Sequence, residues 1–111
     1  MKLAIIGSRS LTHINLDEYL TDEVSELVSG GAIGIDTLVK EYSKSRGISL
    51  VEFLPDYKRY GRAAPFIRNR KIAEYADEAL AFWDGKSRGT MHTVDLFRSL
   101  GKRVRVVTIC D

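Results

Sequence analysis

Apolar and polar positions follow one another along the chain in an order that predicts strands separated by helices. Short apolar runs predict strands, and sets of apolar residues spaced by three and four positions predict amphipathic helices. The run from Lys2 to Gly7 is typical of a strand buried on both faces, whereas the alternation that begins at Arg103 is typical of a sheet edge. The predicted strands cover 2–7, 26–29, 48–53, 78–83 and 103–109.

The clearest helical pattern lies after the second predicted strand. An i, i+3, i+4, i+7 set of apolar residues starts at Ile35, and Gly47 stands where the helix would end. Pro65 suits the first turn of a later helix because its missing N–H costs nothing there. Helices are therefore predicted near 15–24, over 35–46, after 64 and after 90, and residues 57–64 are expected to form a loop.

Strands that alternate with helices over the whole of 1–111 predict one Rossmann-like α/β domain. The expected architecture has three layers, with a doubly wound parallel sheet of about five strands between two layers of helices. A chain of 111 residues suits a single domain with a modest core.

Composition narrows the class of protein. The single cysteine, Cys110, excludes an internal disulfide framework and a cysteine-rich metal site. The first apolar run is too short for a signal peptide, and no window is long enough to span a membrane, so the sequence predicts a cytoplasmic protein. His13 and His92 lack the neighbours of a metal site and are interpreted as structural or solvated. No metal and no cofactor are expected.

Small and polar residues follow three of the predicted strands. They are Gly7-Ser8-Arg9, Ser29-Gly30-Gly31-Ala32 and the stretch from Asp84 to Thr90. The carboxyl ends of parallel strands share one edge of a sheet, and ligands bind there at the point where the strand order reverses. Glycines allow close approach to the backbone, and a following helix directs free N–H groups at the same space. The segment from Pro55 to Tyr57 follows another predicted strand and is expected at the same edge. The sequence therefore predicts an anion-binding pocket at this edge.

A basic segment lies between Tyr57 and Ala73. It contains Lys58, Arg59, Arg62, Arg68, Arg70 and Lys71 and no acidic residue, although the formal net charge of the chain is only +2. Such a segment can bind an anion, or it can be a solvated face that offsets acidic residues elsewhere.

Taken in order, these motifs resemble the SLOG superfamily, and among its branches the small stand-alone YspA-like proteins. The motifs are Gly7-Ser8-Arg9, Ser29 to Asp36, Arg68-Asn69, Ala76-Asp77, Ala81 to Gly85 and Ser87 to Thr90. The resemblance spans nearly the whole chain. It implies a Rossmann-like domain that binds nucleotides or nucleotide-derived ligands, either as a sensor or as an enzyme.

The enzymes of that superfamily, the Lonely Guy phosphoribohydrolases, split nucleoside monophosphates with an arginine and a glutamate. The resemblance places Arg68 at the arginine and Gly89-Thr90 at the Gly-Thr of the motif, but Thr93 stands where the glutamate belongs and the Pro-Gly-Gly is absent. Because a threonine cannot stabilise an oxocarbenium-like state as a carboxylate does, binding is favoured over catalysis. Asp84 and Asp36 are the candidate replacements for the carboxylate.

The favoured interpretation is a nucleotide pocket in which the α-helical N-terminus at Gly89 and Thr90 holds a phosphate. Arg68 and Arg9 would neutralise it, and serine hydroxyls would add hydrogen bonds. The candidate ligand-binding residues are Gly7, Ser8, Arg9, Ser29, Gly30, Gly31, Ala32, Arg68, Asn69, Asp84, Ser87, Gly89 and Thr90.

Two other classes of function stay open at this point. One is a phosphoribohydrolase-like N-glycoside hydrolase with a non-standard carboxylate. The other is a single-stranded DNA-binding protein of the Smf/DprA type. The cations interleaved with Tyr57, Tyr60 and Phe66 favour this hypothesis, and the small net charge disfavours it. No membrane partner is expected, and the sequence leaves the oligomeric state open, a homo-oligomer included.

Overall fold

The computed structural model describes residues 1–8, 13–31 and 34–109. Its centre is a sheet of five parallel strands, which confirms the predicted α/β class. The strands are β1 (Lys2–Gly7), β2 (Glu26–Ser29), β3 (Ser49–Glu52), β4 (Glu78–Trp83) and β5 (Arg103–Thr108). Their order in the sheet is β3-β2-β1-β4-β5, with β3 and β5 at the edges.

Helices connect most of these strands. The described part of the chain contains α1 (Ile35–Arg46), α2 (Tyr57–Tyr60), α3 (Ala64–Tyr75) and α4 (Arg88–Ser99), together with 3-10 turns at Leu16–Glu18 and Gly61–Ala63. As predicted, Gly47 ends α1 in the left-handed region, with φ of 68°. Among the described residues, no helix has the length and apolar character needed to cross a membrane.

The two faces of the sheet are covered by different helices because successive side chains of a strand point to opposite sides. Leu3 and Ile5 of β1 pack with Ile35 and Val39 of α1 on one face. Ala4, between them in sequence, packs on the other face with side chains of α3 and α4, which include Ile72, Ala73 and Phe97. The architecture is therefore a doubly wound sheet between two helical layers.

The point where the strand order reverses lies between β1 and β4. From β1 the chain moves outward through β2 to β3, and then it crosses to the opposite side and continues through β4 to β5. The connections that follow β1 and β4 run in opposite directions, and this leaves a crevice at the carboxyl ends of the two strands. The loops predicted to form the pocket follow β1, β2 and β4 and therefore leave the sheet at that edge.

Two local predictions were wrong. The helix expected near 15–24 is a single 3-10 turn, Leu16–Glu18, capped by the Asn15 side chain. Only Leu16 within that turn is buried, and one apolar anchor does not support a longer amphipathic helix. The loop expected at 57–64 is instead helical, because the Asp56 carboxylate accepts the N–H of Arg59 and begins α2.

The end of α3 is fixed to the start of β5 by Lys102. Its Nζ donates to the carbonyl oxygens of Ala73, Glu74 and Ala76, at 2.7, 3.0 and 2.7 Å. These carbonyls lack intrahelical partners at a helix C-terminus, where a cation is also favoured by the helix dipole. Lys102 therefore holds α3, the helix that carries Arg68, in place against the sheet.

Candidate functional site

A pocket of about 950 Å³ opens at the carboxyl ends of the strands. Its walls come from the end of β1, the turns after β2 and β4, the first turn of α1, one face of α3 and the first two turns of α4. This is the upper end of the usual size range of small-molecule sites, which is about 300–1,000 Å³. The turns after β1, β2 and β4, which were expected to converge, thus share one concave surface, whereas residues 55–57, expected at the same edge, do not line it.

The floor of the pocket is tied together where β1 and β4 end. The backbone N–H of Ser8 donates to the carbonyl oxygen of Phe82 at 3.2 Å, and the Ser8 hydroxyl accepts the N–H of Asp84 at 3.3 Å. Ser8 is only 2% exposed. Its hydroxyl therefore fixes the start of the β4–α4 turn relative to β1.

Close approach at Gly7 brings α1 to the same edge. A Cβ atom built on Gly7 would lie 2.5 Å from Cγ2 of Ile35, the first residue of α1. A side chain at this position would force the helix away from the strand. Because Gly7 has none, the first turn of α1 reaches the pocket, and Asp36 lines its wall.

The β4–α4 turn is held by its own hydrogen bonds. One oxygen of Asp84 accepts the N–H groups of Lys86 and Ser87, both at 2.8 Å. The Ser87 hydroxyl caps α4 by accepting the N–H of Thr90 at 3.2 Å, and it also accepts the Thr90 hydroxyl at 3.0 Å. The turn is therefore organised before any ligand arrives.

The N-terminus of α4 presents backbone donors to the pocket. Ser87 caps Thr90, whereas the N–H groups of Arg88 and Gly89 have no acceptor within the helix. All three residues of this first turn line the pocket. The capping of Thr90 changes one detail of the expected phosphate site, since its N–H is used by Ser87, and Gly89 is left as the central donor.

Neither the backbone conformation nor the packing of the protein requires a glycine at position 89. Its φ is not positive, and a Cβ built on it would meet no described atom within 4 Å beyond its chain neighbours and the backbone of its own helix. Glycine in a helix costs about 0.5–1 kcal/mol relative to alanine. Gly89 therefore lowers stability without making a tight contact. Because it borders the pocket, its missing side chain leaves room for a ligand to approach the backbone.

Arg68 reaches across the pocket to the turn after β2. Its Nη1 donates to the carbonyl oxygen of Gly30 at 2.8 Å, and its Nε donates to Oδ1 of Asn69 at 2.8 Å. A Cβ on Gly30 would lie 2.6 Å from Nη1, so the guanidinium needs a glycine at this position. The Arg68 side chain is half-buried and positioned, unlike the exposed side chain of Arg70 two residues later.

The charge of the pocket is mixed. Asp36, Asp84 and Asp95 bring carboxylates to its wall, and Arg68 and Arg88 bring guanidinium groups. Thr93, which stands at the position where the resemblance expects a glutamate, is buried, and its hydroxyl donates to the carbonyl oxygen of Gly89 at 3.2 Å. Such a wall suits a ligand that has both an anionic group and hydrogen-bond donors better than it suits a bare anion.

The structure brings most of the predicted site residues to this pocket, but two of them lie off its wall. The Ser29 hydroxyl is buried and accepts the N–H of Gly31 within its own turn, at 3.4 Å. Gly31 lies instead against Leu54 and Glu52. Arg9 and Ala32 lie outside the described residues. The predicted residues that line the pocket are Gly7, Ser8, Gly30, Asp36, Arg68, Asn69, Asp84, Ser87, Gly89 and Thr90.

Several lining residues, among them Phe66, His92 and Asp95, were not among the predicted ligand contacts. Phe66 precedes Arg68 by two positions in the basic segment, so its place in the chain pointed to the site. The direction in which its side chain faces could not be predicted from the sequence. The cations Lys58, Arg59, Arg62 and Lys71 do not line the pocket. Arg59 and Lys71 lie instead over the ring of Tyr60, at 5.2 and 5.8 Å from its centroid.

Comparison of the chain with protein-family models, with curated proteins and with solved structures finds no match. The resemblance to the SLOG superfamily therefore stays a prediction from the motifs, and the function is argued below from the geometry of the pocket.

Proposed function

We propose that the protein binds a nucleotide or a nucleotide-derived ligand in the pocket at the carboxyl ends of its strands. The observation that carries the proposal is the open backbone at Gly89, on the N-terminus of α4, in the same pocket as Arg68. A helix N-terminus favours anions through its unpaired N–H groups and its dipole. A phosphate is the anion that this arrangement suits, since a guanidinium can share its charge.

The remaining wall supports a ligand larger than a phosphate. Carboxylates accept hydrogen bonds from hydroxyl groups, and Asp36 lines the same pocket as the helix terminus. A sugar phosphate needs both kinds of contact. The volume of about 950 Å³ also leaves space for a ring system beyond the sugar.

The substitution Gly89→Ala tests this proposal. The added methyl group would occupy the space over the backbone donor, so we expect the affinity for AMP to fall about tenfold or more, the scale of one charge-assisted hydrogen bond. Isothermal titration calorimetry measures the affinity. Thermal unfolding is the control, because alanine should leave the stability unchanged or raise it by about 0.5–1 kcal/mol. Equal AMP affinity in the two proteins would contradict the proposal.

Hydrolysis of the N-glycosidic bond is the second candidate, favoured by Asp36 and Asp84 in the same pocket as Arg68. One oxygen of Asp84 already accepts two backbone N–H groups, and Thr93 offers no carboxylate. We therefore expect no release of adenine from AMP, measured by chromatography over hours at saturating protein. Steady release would make the protein a hydrolase, and the variants Asp36→Asn and Asp84→Asn would then identify the carboxylate that acts.

A further inference from the structure

An exposed aromatic ring stands on the wall of the pocket. Phe66 is 54% exposed. Leu54, Tyr57 and Leu100 are exposed to a similar degree. Of these four, only Phe66 lines the pocket. Leaving a phenylalanine ring in water forgoes the stabilisation that its burial would give. Packing within the fold therefore does not account for the exposed position of the Phe66 ring.

Phe66 forms a corner with His92. The two rings meet edge to face, with centroids 5.0 Å apart and planes at 82°. The pair separates the pocket from a smaller groove of about 210 Å³ lined also by Ile67, Arg70 and Leu96. Because the pair has a concave space on each side, the rest of the fold does not cover the Phe66 ring.

The two ring nitrogens of His92 have different surroundings. Within the described part of the chain, Nδ1 is buried and has no hydrogen-bond partner. A neutral imidazole carries one proton, and an N–H at Nδ1 would be a buried donor without an acceptor. Nδ1 stays unpaired in either tautomer, so only Nε2 can meet a ligand, and we assign the proton to Nε2. That nitrogen is not buried, so it can donate a hydrogen bond to a group in the pocket.

We propose that Phe66 and His92 form the subsite for the base of the ligand. The base stacks on the Phe66 ring, and His92 Nε2–H donates to a ring nitrogen or a carbonyl oxygen on the edge of the base. Any base can stack on an aromatic side chain, because every base has a π-face. A hydrogen bond to the edge of the base adds selectivity between bases. This inference rests on the proposed function, for which it names the part of the ligand that lies away from the phosphate.

The spacing along α4 links this subsite to the phosphate site. Gly89 and His92 are three residues apart, so they are neighbours on one face of the helix. Phe66 and Arg68 both line the pocket from α3, which contacts α4 through the Phe66–His92 pair. One ligand can therefore contact the anion-binding donors at one end and the aromatic corner at the other.

Two probes separate the two parts of the proposed ligand. AMP has phosphate, sugar and base, whereas ribose 5-phosphate lacks the base. In calorimetry, Phe66→Leu is expected to weaken AMP binding about tenfold, the usual order for a stacked base, and to leave ribose 5-phosphate binding unchanged. Phe66→Trp restores a platform and should restore AMP affinity. His92→Phe keeps an aromatic edge but removes the donor, so it should weaken AMP binding and spare ribose 5-phosphate.

The outcomes distinguish this inference from the proposed function. If the unmodified protein binds neither AMP nor GMP, CMP or UMP, both the proposed function and the base subsite are wrong. If it binds AMP and Phe66→Leu has no effect, or weakens AMP and ribose 5-phosphate equally, only the base subsite is wrong. Selective loss of AMP affinity with rescue by tryptophan supports the subsite.

Discussion

Replacing Phe82 by alanine is expected to lower the free energy of unfolding by about 3–5 kcal/mol, the usual cost of emptying a buried phenylalanine site. Phe82 has no exposed surface, and its ring packs edge to face on Tyr19 with centroids 5.1 Å apart. It also lies in the central strand β4, where a shift would disturb the hydrogen bond from Ser8 to its carbonyl oxygen. Denaturant titration followed by circular dichroism measures the change.

Phe66→Ala is the matched control, because the same side chain is removed from an exposed position. Substitutions of this kind at the surface change stability by no more than about 0.5 kcal/mol. The two variants should therefore separate stability from binding: Phe82→Ala weakens the fold, and Phe66→Ala weakens ligand binding alone. A similar loss of stability in both variants would show that the described burial of these rings is wrong.

Arg68→Ala is expected to weaken AMP binding by about 1.5–3 kcal/mol, the range for a hydrogen bond to a charged group. The guanidinium is held in the pocket by its bond to the Gly30 carbonyl oxygen, so it need not be ordered when the ligand binds. Calorimetry with AMP at fixed ionic strength gives the difference in affinity.

Two further variants sharpen the interpretation of Arg68. Arg70→Ala removes an equal charge from an exposed position on the same helix, and it should change AMP affinity little. Arg68→Lys keeps the charge but loses the planar fork, so we expect it to recover only part of the affinity. Equal effects of Arg68→Ala and Arg70→Ala would indicate a general electrostatic contribution instead of a positioned contact.

The sequence predicted the sheet because the strands are short apolar runs with clear boundaries. Gly47 and Pro65 mark helix ends by backbone chemistry that does not depend on the rest of the fold. The helix expected near 15–24 failed for the opposite reason. Its apolar residues Tyr19, Leu20 and Val24 are held by tertiary packing against the core and not by helical repetition.

The candidate site could be located from the sequence, but its inner contacts could not. The topology brings the strand ends together, so residues that follow β1, β2 and β4 meet without any knowledge of side chains. Which serine points inward is a matter of rotamers and turn geometry. Ser8 lines the pocket, whereas the Ser29 hydroxyl bonds within its own turn. The pairing of Phe66 with His92 joins two helices and leaves no local signal.

The central pairing of β1 with β4 sets the order in which the pocket can form. Lys2 and Asp77, joined by a hydrogen bond of 2.8 Å at the start of these strands, are 75 residues apart. The units β2–α1–β3 and β4–α4–β5 are local in sequence, whereas contacts across so long a loop come at a higher entropic cost and form slowly. Each unit alone supplies only part of the wall, Gly30 and Asp36 from the first and Asp84 to Thr93 from the second. A complete pocket therefore requires the long-range pairing as well as both local units, and on refolding the recovery of AMP binding should not precede the recovery of the helical signal.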